Sequence, residues 1–303
     1  MKKLLIVFLV ALLVVFGITA YKNYFPSDDG GIQNAALDDI PAFDGKHPYV
    51  KINDNKPFFE ESEITKDSFE KYSDLDSLGR CGAALSCIGV DIMPTEDRES
   101  ISSVTPSGWI NAKYDIVDGT YLYNRAHLIG FQLTGENANR ENLITGTRFM
   151  NVDGMLPFEN MVADYVKETK NHVMYRVTPI FESSNLVASG VLMEALSVED
   201  GGKGISFCVY VYNAQPGIVI DYATGRSRLA TEDEFPPLYD GDEEEKGDTG
   251  PTETYVINLN SGKFHLPSCE YVSKIAEHNY REENTTKDEL IFNYYTPCQS
   301  CIK

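Results

Sequence analysis

The sequence predicts an α+β protein with an antiparallel β-sheet core and one central helix. Apolar runs of strand type cover 172–181, 185–198 and 205–214, and turn residues separate them. Three such runs in succession are typical of an antiparallel meander, and 216–225 adds a further strand. One segment, 157–170, instead has apolar residues at helical spacing. At 303 residues the chain is long enough for one sizeable core and a smaller second unit.

The chain begins with an apolar leader. Two lysines follow Met1, and an apolar run then extends from Leu4 to Ala20. A positive start and a short apolar run are typical of a secretory signal peptide, and the run is also near the lower length limit for crossing a bilayer. The cleavage motif is poor, so removal and retention both stay open. We expect export to the medium or the cell surface, with 1–20 as signal peptide or membrane anchor and 21–40 as a polar tether.

The net charge is strongly acidic and unevenly distributed. The formal net charge is −20 at pH 7. Nonspecific affinity for nucleic acid normally comes from lysine and arginine contacts to phosphates, so this charge argues against it. However, ten acids and one lysine lie within 231–253, a Pro/Gly-rich stretch that predicts a linker. The linker thus carries nine of the twenty excess negative charges, outside the globular unit predicted for 41–230.

The segment 157–170 is the one strong helix prediction. Pro157 suits its first turn, where a missing backbone N–H costs little. Five apolar residues form one stripe at helical spacing: Phe158, Met161, Val162, Tyr165 and Val166. We expect this stripe to pack in the core rather than to bind a ligand.

Polar residues of chemical interest concentrate before and within this helix. Arg125 and His127 are two apart in a strand-like run, so their side chains share a face. Asn142, Asn151 and Glu159 follow. A neutral histidine can accept a proton, an arginine can hold a phosphate oxygen, and amide and carboxylate oxygens suit a hard cation. A phosphodiester hydrolase needs these parts, although a lone strand histidine is more often structural.

The order and spacing of these residues resemble a known family. “NRAH” precedes “NLITGTRFMN” and a glutamate, with nine residues from Asn142 to Asn151 and eight from Asn151 to Glu159. This pattern resembles the DNA/RNA non-specific endonucleases, which are ββα-metal (His-Me finger) nucleases that bacteria secrete or use to take up DNA. The resemblance covers much of 45–230. It implies a metal finger built from a β-hairpin and a helix.

The resemblance also implies roles for these residues. His127 would be the general base that takes a proton from the attacking water. Asn151 would be the sole direct protein ligand of Mg²⁺ or Mn²⁺, and Glu159 would hold the waters of that metal. Arg125 would lie near the phosphate, and Asn142 would support the site. The expected reaction is endonucleolytic hydrolysis of DNA and RNA that leaves 5′-phosphate ends, with no small-molecule cofactor.

Two positions depart from the family pattern. Asn124 stands in place of the family's aspartate, and Ala126 stands in place of a glycine. Because neither change removes the base or the metal ligand, we expect activity. A catalytically silent DNA-binding surface protein is the alternative, and an anchored scaffold is a second one. Arg140 and Arg148 are weaker candidates for phosphate contacts and are equally consistent with a solvated surface.

Three cysteines lie in the first unit. Cys81 and Cys87 flank “GAALS”, and this spacing fits either a local disulfide or two buried thiols. Cys208 lies in an apolar strand and is expected to be inert core. His172 and His278 have no partners at a recognisable spacing, and we assign them no role.

The C-terminal segment, 254–303, predicts a small zinc-binding module. His265 and Cys269 form one ligand pair and Cys298 and Cys301 another, which is the ligand set of a tetrahedral structural zinc site. A unit of this size has too small an apolar core to be stable without a metal site or another cross-link. A disulfide among the three cysteines is the alternative outside the cell. The segment is similar to the zinc domain of the methylphosphotriester-repair protein, but His265 replaces a cysteine there, so no methyl-accepting role is expected.

Overall fold

This computed structural model of the protein describes residues 40–231, 233–234, 252–258, 263–276, 279–287, 290, 295–298 and 300–302. The predicted leader at 1–20, nearly all of the tether, most of the acidic linker and His278 lie outside the described residues. No helix within the described ranges is long and apolar enough to span a membrane.

A six-stranded antiparallel sheet forms the centre of the first unit. The strands of this unit are β1 (Tyr49–Lys51), β2 (Phe69–Tyr72), β3 (Ala84–Ile88), β4 (Tyr123–His127), β5 (Leu143–Thr147), β6 (Val173–Ile180), β7 (Gly190–Ser197), β8 (Ser206–Tyr212), β9 (Ile218–Asp221) and β10 (Arg226–Leu229). The central sheet has the order β1-β8-β7-β6-β3-β2, and β9 and β10 form a separate hairpin. The meander predicted for 172–214 is confirmed, because β6, β7 and β8 pair antiparallel as neighbours.

A second hairpin and a helix form the part of the fold that carries the site. β4 and β5 pair antiparallel, with His127 opposite Leu143. A short helix, α1 (Phe131–Thr134), lies between them, and a π-helical turn (Met150–Met155) leads from β5 into the main helix, α2 (Leu156–Thr169). This hairpin followed by a helix is the ββα arrangement that the sequence pattern implied.

The stripe of α2 packs into the main core, as predicted. Phe158, Val162 and Val166 are buried, and the predicted stripe residues Met161 and Tyr165 pack at the edge of the same cluster. The Phe158 ring lies 4.8 Å from that of Phe207 on β8, measured between centroids. Burial of apolar side chains of this size stabilises a fold by about 1.5–3 kcal/mol each. The packing of α2 on the sheet therefore fixes the helix from which Glu159 projects.

The described part of the C-terminal segment forms a small four-stranded sheet. Its strands are β11 (Glu253–Asn258), β12 (Lys263–His265), β13 (Tyr280–Thr285) and β14 (Thr296–Pro297), in the order β13-β11-β12-β14. β12 and β14 are parallel, whereas the other pairs are antiparallel. The apolar core of this unit is small: Tyr255, Ile257, Phe264, Leu290 and Ile302. A unit with so little core needs an additional cross-link.

The cysteines of the first unit are free thiols. The Cys81 thiol donates to the carbonyl oxygens of Arg140 and Leu143, and the Cys87 thiol donates to that of Thr65. The structure therefore supports two buried thiols at these positions and not a local disulfide. Burial raises the pKa of both thiols, and that of the fully buried Cys208, to about 12. Thiols that stay protonated are poor nucleophiles, in agreement with inert core positions.

Candidate active site

An open cleft of about 810 Å³ lies beside the ββα unit. It is lined by five of the residues singled out in the sequence: Arg125, His127, Arg148, Asn151 and Glu159. Asn124 also lines the cleft, whereas the exposed Arg140 does not appear in its walls. The pattern read from the sequence thus corresponds to one concave surface.

His127 lies at the end of β4 and is 6% exposed. Its Nε2 is 2.9 Å from the carbonyl oxygen of Asn137. A carbonyl only accepts, so Nε2 carries the proton and Nδ1 keeps its lone pair, which faces Arg98 Nη2 at 3.4 Å. Burial lowers the pKa of His127, and the charge of Arg98 lowers it further. The imidazole is therefore neutral near pH 7, with Nδ1 available to accept a proton.

Asn142 holds the backbone that follows His127. Its Oδ1 accepts from the amide of Ile129 at 2.8 Å, and its Nδ2 donates to the carbonyl of Ile129 at 3.0 Å. The side chain is fully buried and does not line the cleft. Both ends of the amide are occupied by the backbone of Ile129, so Asn142 can hold the turn after His127, which is the supporting role expected from the sequence.

Asn151 lies in the π-helical turn that precedes α2. The amide of Leu156 donates to the Asn151 carbonyl, which is the i to i+5 bond of a π-helix. A proline ring clashes with the carbonyl four residues earlier in a regular α-helix, and the wider turn accommodates Pro157. Gly154 lets this turn approach the sheet, because a Cβ there would lie 2.3 Å from Val211 Cγ1. The turn is thus held against β8 with Asn151 in the wall of the cleft.

Glu159 projects from the first turn of α2 toward the loop after β4. A Cβ added to Gly130 would lie 2.5 Å from Glu159 Oε2, so the carboxylate sits directly against that glycine. Burial raises the pKa of Glu159 to about 7, and the hydrogen bond from Gln132 and the charge of Arg98 oppose the rise. A carboxylate with a raised pKa beside a neutral histidine is typical of a catalytic or metal site.

Arg125 is held from several sides. Its Nε donates to the carbonyl of Val104 at 2.5 Å, and Nη2 donates to that of Ser102 at 3.2 Å. The guanidinium also lies 4.3 Å from the ring centroid of Trp109. These contacts fix the orientation of Arg125 in the cleft and connect β4 to the loop that contains Ser102, Val104 and Trp109.

Two further arginines line the cleft. Arg98 places Nη2 3.4 Å from His127 Nδ1, and sequence reasoning missed it because it comes from a loop with no periodic pattern. Arg148 forms two hydrogen bonds with Asp118 Oδ2, at 2.7 and 3.1 Å. The positive charge nearest to the histidine therefore belongs to Arg98.

The two departures from the family pattern have different consequences. Ala126 is fully buried in β4 and does not have a positive φ, so the position does not require glycine. Asn124 has a buried Nδ2 with no hydrogen-bond acceptor among the described residues.

The donor atoms in the cleft fit a hard divalent cation. An asparagine side-chain oxygen and a carboxylate are oxygen ligands of the kind that Mg²⁺ and Mn²⁺ prefer. Mg²⁺ usually keeps several of its waters, so one direct protein ligand and one carboxylate that accepts from waters are sufficient. Asn151 and Glu159 both line the cleft, so the two kinds of oxygen ligand are present on one surface.

The C-terminal unit brings the four predicted zinc ligands together. The ligand atoms of His265, Cys269, Cys298 and Cys301 all lie within 4.8 Å of one another. His265 Nδ1 is buried and has no hydrogen-bond partner among the described residues, and burial lowers the pKa of this histidine. A neutral imidazole and three thiols fit a closed tetrahedral zinc site. The amide of Leu266 donates to Cys301 Sγ at 3.4 Å, a contact that would also support a thiolate ligand.

Comparisons with known proteins agree with this architecture. The profile of the DNA/RNA non-specific endonuclease family matches residues 61–199. A deoxyribonuclease from Streptococcus dysgalactiae subsp. equisimilis is 35% identical over 113 residues, which are 35% of this chain but only 33% of that protein's length. The chain therefore matches about a third of this curated relative.

Two solved structures are similar in fold. NucA from Streptococcus agalactiae, with a magnesium ion bound, has a TM-score of 0.56 and 23% identity over 66% of this chain and 95% of its own. The Sda1 nuclease, with a bound zinc ion, has a TM-score of 0.50 and 28% identity over 61% of this chain and 97% of its own. The hairpin, the π-helical turn and the helix all lie within residues 61–199, the part of the chain that matches the DNA/RNA non-specific endonuclease family.

Proposed function

We propose that the protein is a Mg²⁺-dependent endonuclease that hydrolyses phosphodiester bonds of DNA and RNA without sequence preference. The observation that carries this proposal is a neutral His127, with an unprotonated Nδ1, in the same cleft as Asn151 and Glu159. A base for water and oxygen ligands for a metal thus meet on one surface. The match of residues 61–199 to the endonuclease family supports the same chemistry.

His127 acts as the general base. Its Nδ1 accepts a proton from the water that attacks phosphorus, while the bond from phosphorus to the 3′ oxygen breaks and leaves a 5′-phosphate end. The Asn137 carbonyl accepts from Nε2–H at 2.9 Å and stabilises the imidazolium that forms. Arg98 and Arg125 supply positive charge for the phosphate oxygens.

Asn151 and Glu159 hold the metal. A Mg²⁺ ion there would neutralise charge on the phosphoryl group and on the leaving 3′ oxygen. Asn151 would offer its amide oxygen to the metal directly, and Glu159 would accept hydrogen bonds from waters bound to that metal. The relative with magnesium bound supports this choice of ion. Asn142 positions the backbone next to His127, because its side chain is hydrogen-bonded to the amide and the carbonyl of Ile129.

The segments before and after the nuclease unit have separate roles. The leader, 1–20, directs export and is removed or retained as an anchor, so that the nuclease unit, 41–230, acts in the medium or at the cell surface. Residues 231–253 form the acidic linker. The module at 254–303 binds structural zinc through His265 and three cysteines, as the convergence of its ligand atoms supports.

A plasmid assay tests the proposed function. The purified protein is incubated with supercoiled plasmid and Mg²⁺, with EDTA as the control. The proposal expects relaxed and linear products with Mg²⁺ and none with EDTA. Absence of cleavage from pH about 6 to 9, the range around an unperturbed histidine pKa, would exclude catalysis.

A second function is favoured by one observation. Asn124 replaces an acidic residue and leaves a buried donor without an acceptor in the described chain, so a silent DNA-binding protein is the competing proposal. It expects plasmid binding in a gel-shift assay without cleavage under every metal condition. The scaffold alternative expects neither plasmid binding nor plasmid cleavage.

A further inference from the structure

The mouth of the cleft carries one well-exposed aromatic side chain. Among the aromatic residues that line it, Tyr123 is buried, and Trp109 and Phe131 are half-buried. Tyr121 is 49% exposed. One face of Trp109 is already covered by the Arg125 guanidinium at 4.3 Å. Tyr121 is thus the aromatic side chain of the cleft whose ring is most accessible to a ligand.

Tyr121 is held on a rigid loop. The Leu122 amide donates to the Ala112 carbonyl at 2.9 Å, and Tyr121 bridges Lys113 across the loop. Val117 and Leu122 anchor the loop in a buried cluster with Ile218. A side chain on so well tied a loop loses little conformational freedom when it binds a ligand.

A cation accompanies this ring. Lys113 Nζ lies 4.5 Å from the Tyr121 ring centroid. The ammonium can cover only one face of the ring, and the exposed fraction of Tyr121 leaves further aromatic surface accessible. An aromatic ring beside a positive charge can bind one nucleotide, because the base stacks on the ring and the phosphate lies near the cation.

Charge alone is a weak source of affinity in this cleft. The formal net charge of the chain is −20, and eleven of these excess negative charges lie outside the linker. Of the arginines in the cleft, Arg125 donates to two backbone carbonyls, and Arg148 is paired with Asp118. Arg98 and Arg125 contribute charge for phosphates, and base stacking would add a contribution that depends neither on charge nor on sequence.

We propose that Tyr121 and Lys113 form a stacking subsite that holds an unpaired nucleobase next to the scissile phosphate. The inference rests on the proposed nuclease function and adds a substrate class to it: single-stranded or locally unpaired nucleic acid is bound in preference to a regular duplex. Bases in a duplex are stacked on one another, and they become available to an aromatic side chain only when they are unpaired.

Binding measurements on the full chain test this subsite separately from catalysis. The His127→Ala background prevents turnover, and fluorescence anisotropy with Mg²⁺ follows a labelled single-stranded oligonucleotide. Adding Tyr121→Ala is expected to weaken binding about tenfold, whereas Tyr121→Trp retains it. Ile116→Ala is the matched control, since Ile116 lies in the same loop, is 57% exposed and does not line the cleft.

An oligonucleotide with abasic sites identifies the contact as stacking. Removal of the base should weaken binding to the Tyr121 protein about tenfold and should have little further effect on Tyr121→Ala, because both changes remove the same contact. The subsite would be overturned if Tyr121→Ala bound as tightly as its parent. It would also be overturned if the abasic sites weakened binding to Tyr121→Ala by as large a factor as they weaken binding to its parent. The nuclease proposal would stand in both cases. Absence of any binding by the His127→Ala parent would overturn both.

Discussion

Replacement of Asn142 by alanine is expected to lower both stability and turnover. The Asn142 side chain makes two hydrogen bonds, at 2.8 and 3.0 Å, to the amide and carbonyl of Ile129, and all of these groups are buried. The substitution leaves a buried donor and a buried acceptor unsatisfied, at about 1–3 kcal/mol each. The free energy of unfolding of the nuclease unit should therefore fall by about 2–6 kcal/mol. Because Ile129 follows His127 by two residues, the base should also lose its position.

Denaturation followed by tryptophan fluorescence measures this loss. The chain contains one tryptophan, Trp109, and it lies in the wall of the cleft, so the signal reports on the nuclease unit alone. The control is Asn139→Ala, which removes one side-chain bond to the Glu141 amide nearer the surface and should cost less than about 1 kcal/mol. Turnover is compared at a temperature where every variant is folded. Equal unfolding free energies for the two variants would refute the positioning role of Asn142.

Three further predictions concern the metal sites. Gly130→Ala places a Cβ 2.5 Å from Glu159 Oε2, so cleavage should fall at least about tenfold while the fold is retained; wild-type activity would show that the carboxylate does not need this position. Since burial raises the pKa of Glu159 to about 7 and the ionised form is the one that holds metal, Mn²⁺ affinity should fall about tenfold for each pH unit below 7. In Glu159→Gln that slope should disappear, and equal slopes in the two proteins would contradict the assignment. Metal analysis of the reduced full chain should find about one zinc, and Cys298→Ser should lower that content; unchanged zinc in the variant would place the metal elsewhere.

Much of the fold follows from patterns that the chain displays locally. β6, β7 and β8 are long apolar runs with turns between them, and the stripe of α2 repeats at helical spacing, so both could be predicted. β1 and β2 are short edge strands of three and four residues. Strands of this length have too few residues to display a period, and their pairing is decided by the partner strand.

The features of the site also fall into those that the sequence predicts and those that depend on tertiary structure. The spacing from Asn142 to Glu159 is a local property of the sequence, and the fold brings Asn151 and Glu159 into one cleft with His127. The π-helical turn was not predictable, because it depends on close approach to β8 as well as on Pro157. The inward direction of Asn142 likewise depends on the backbone it meets.

The positions of Arg98 and Tyr121 in the cleft could not be predicted from the sequence. Both reach the cleft from irregular loops, and nothing in their neighbours distinguishes them from other surface residues. The folded chain brings Arg98 within 3.4 Å of His127, across 29 residues of sequence. Contacts of this kind are set by tertiary structure, and only the structure identifies them.

The central claim is that His127 is the base of a nuclease, and one comparison tests it most directly. Initial rates of plasmid cleavage in Mg²⁺ are measured for the wild-type chain and for His127→Ala, with tryptophan fluorescence to verify that both are folded. Loss of a general base should reduce the rate by about 10²–10⁴-fold. Cleavage by the variant at the wild-type rate would contradict the account.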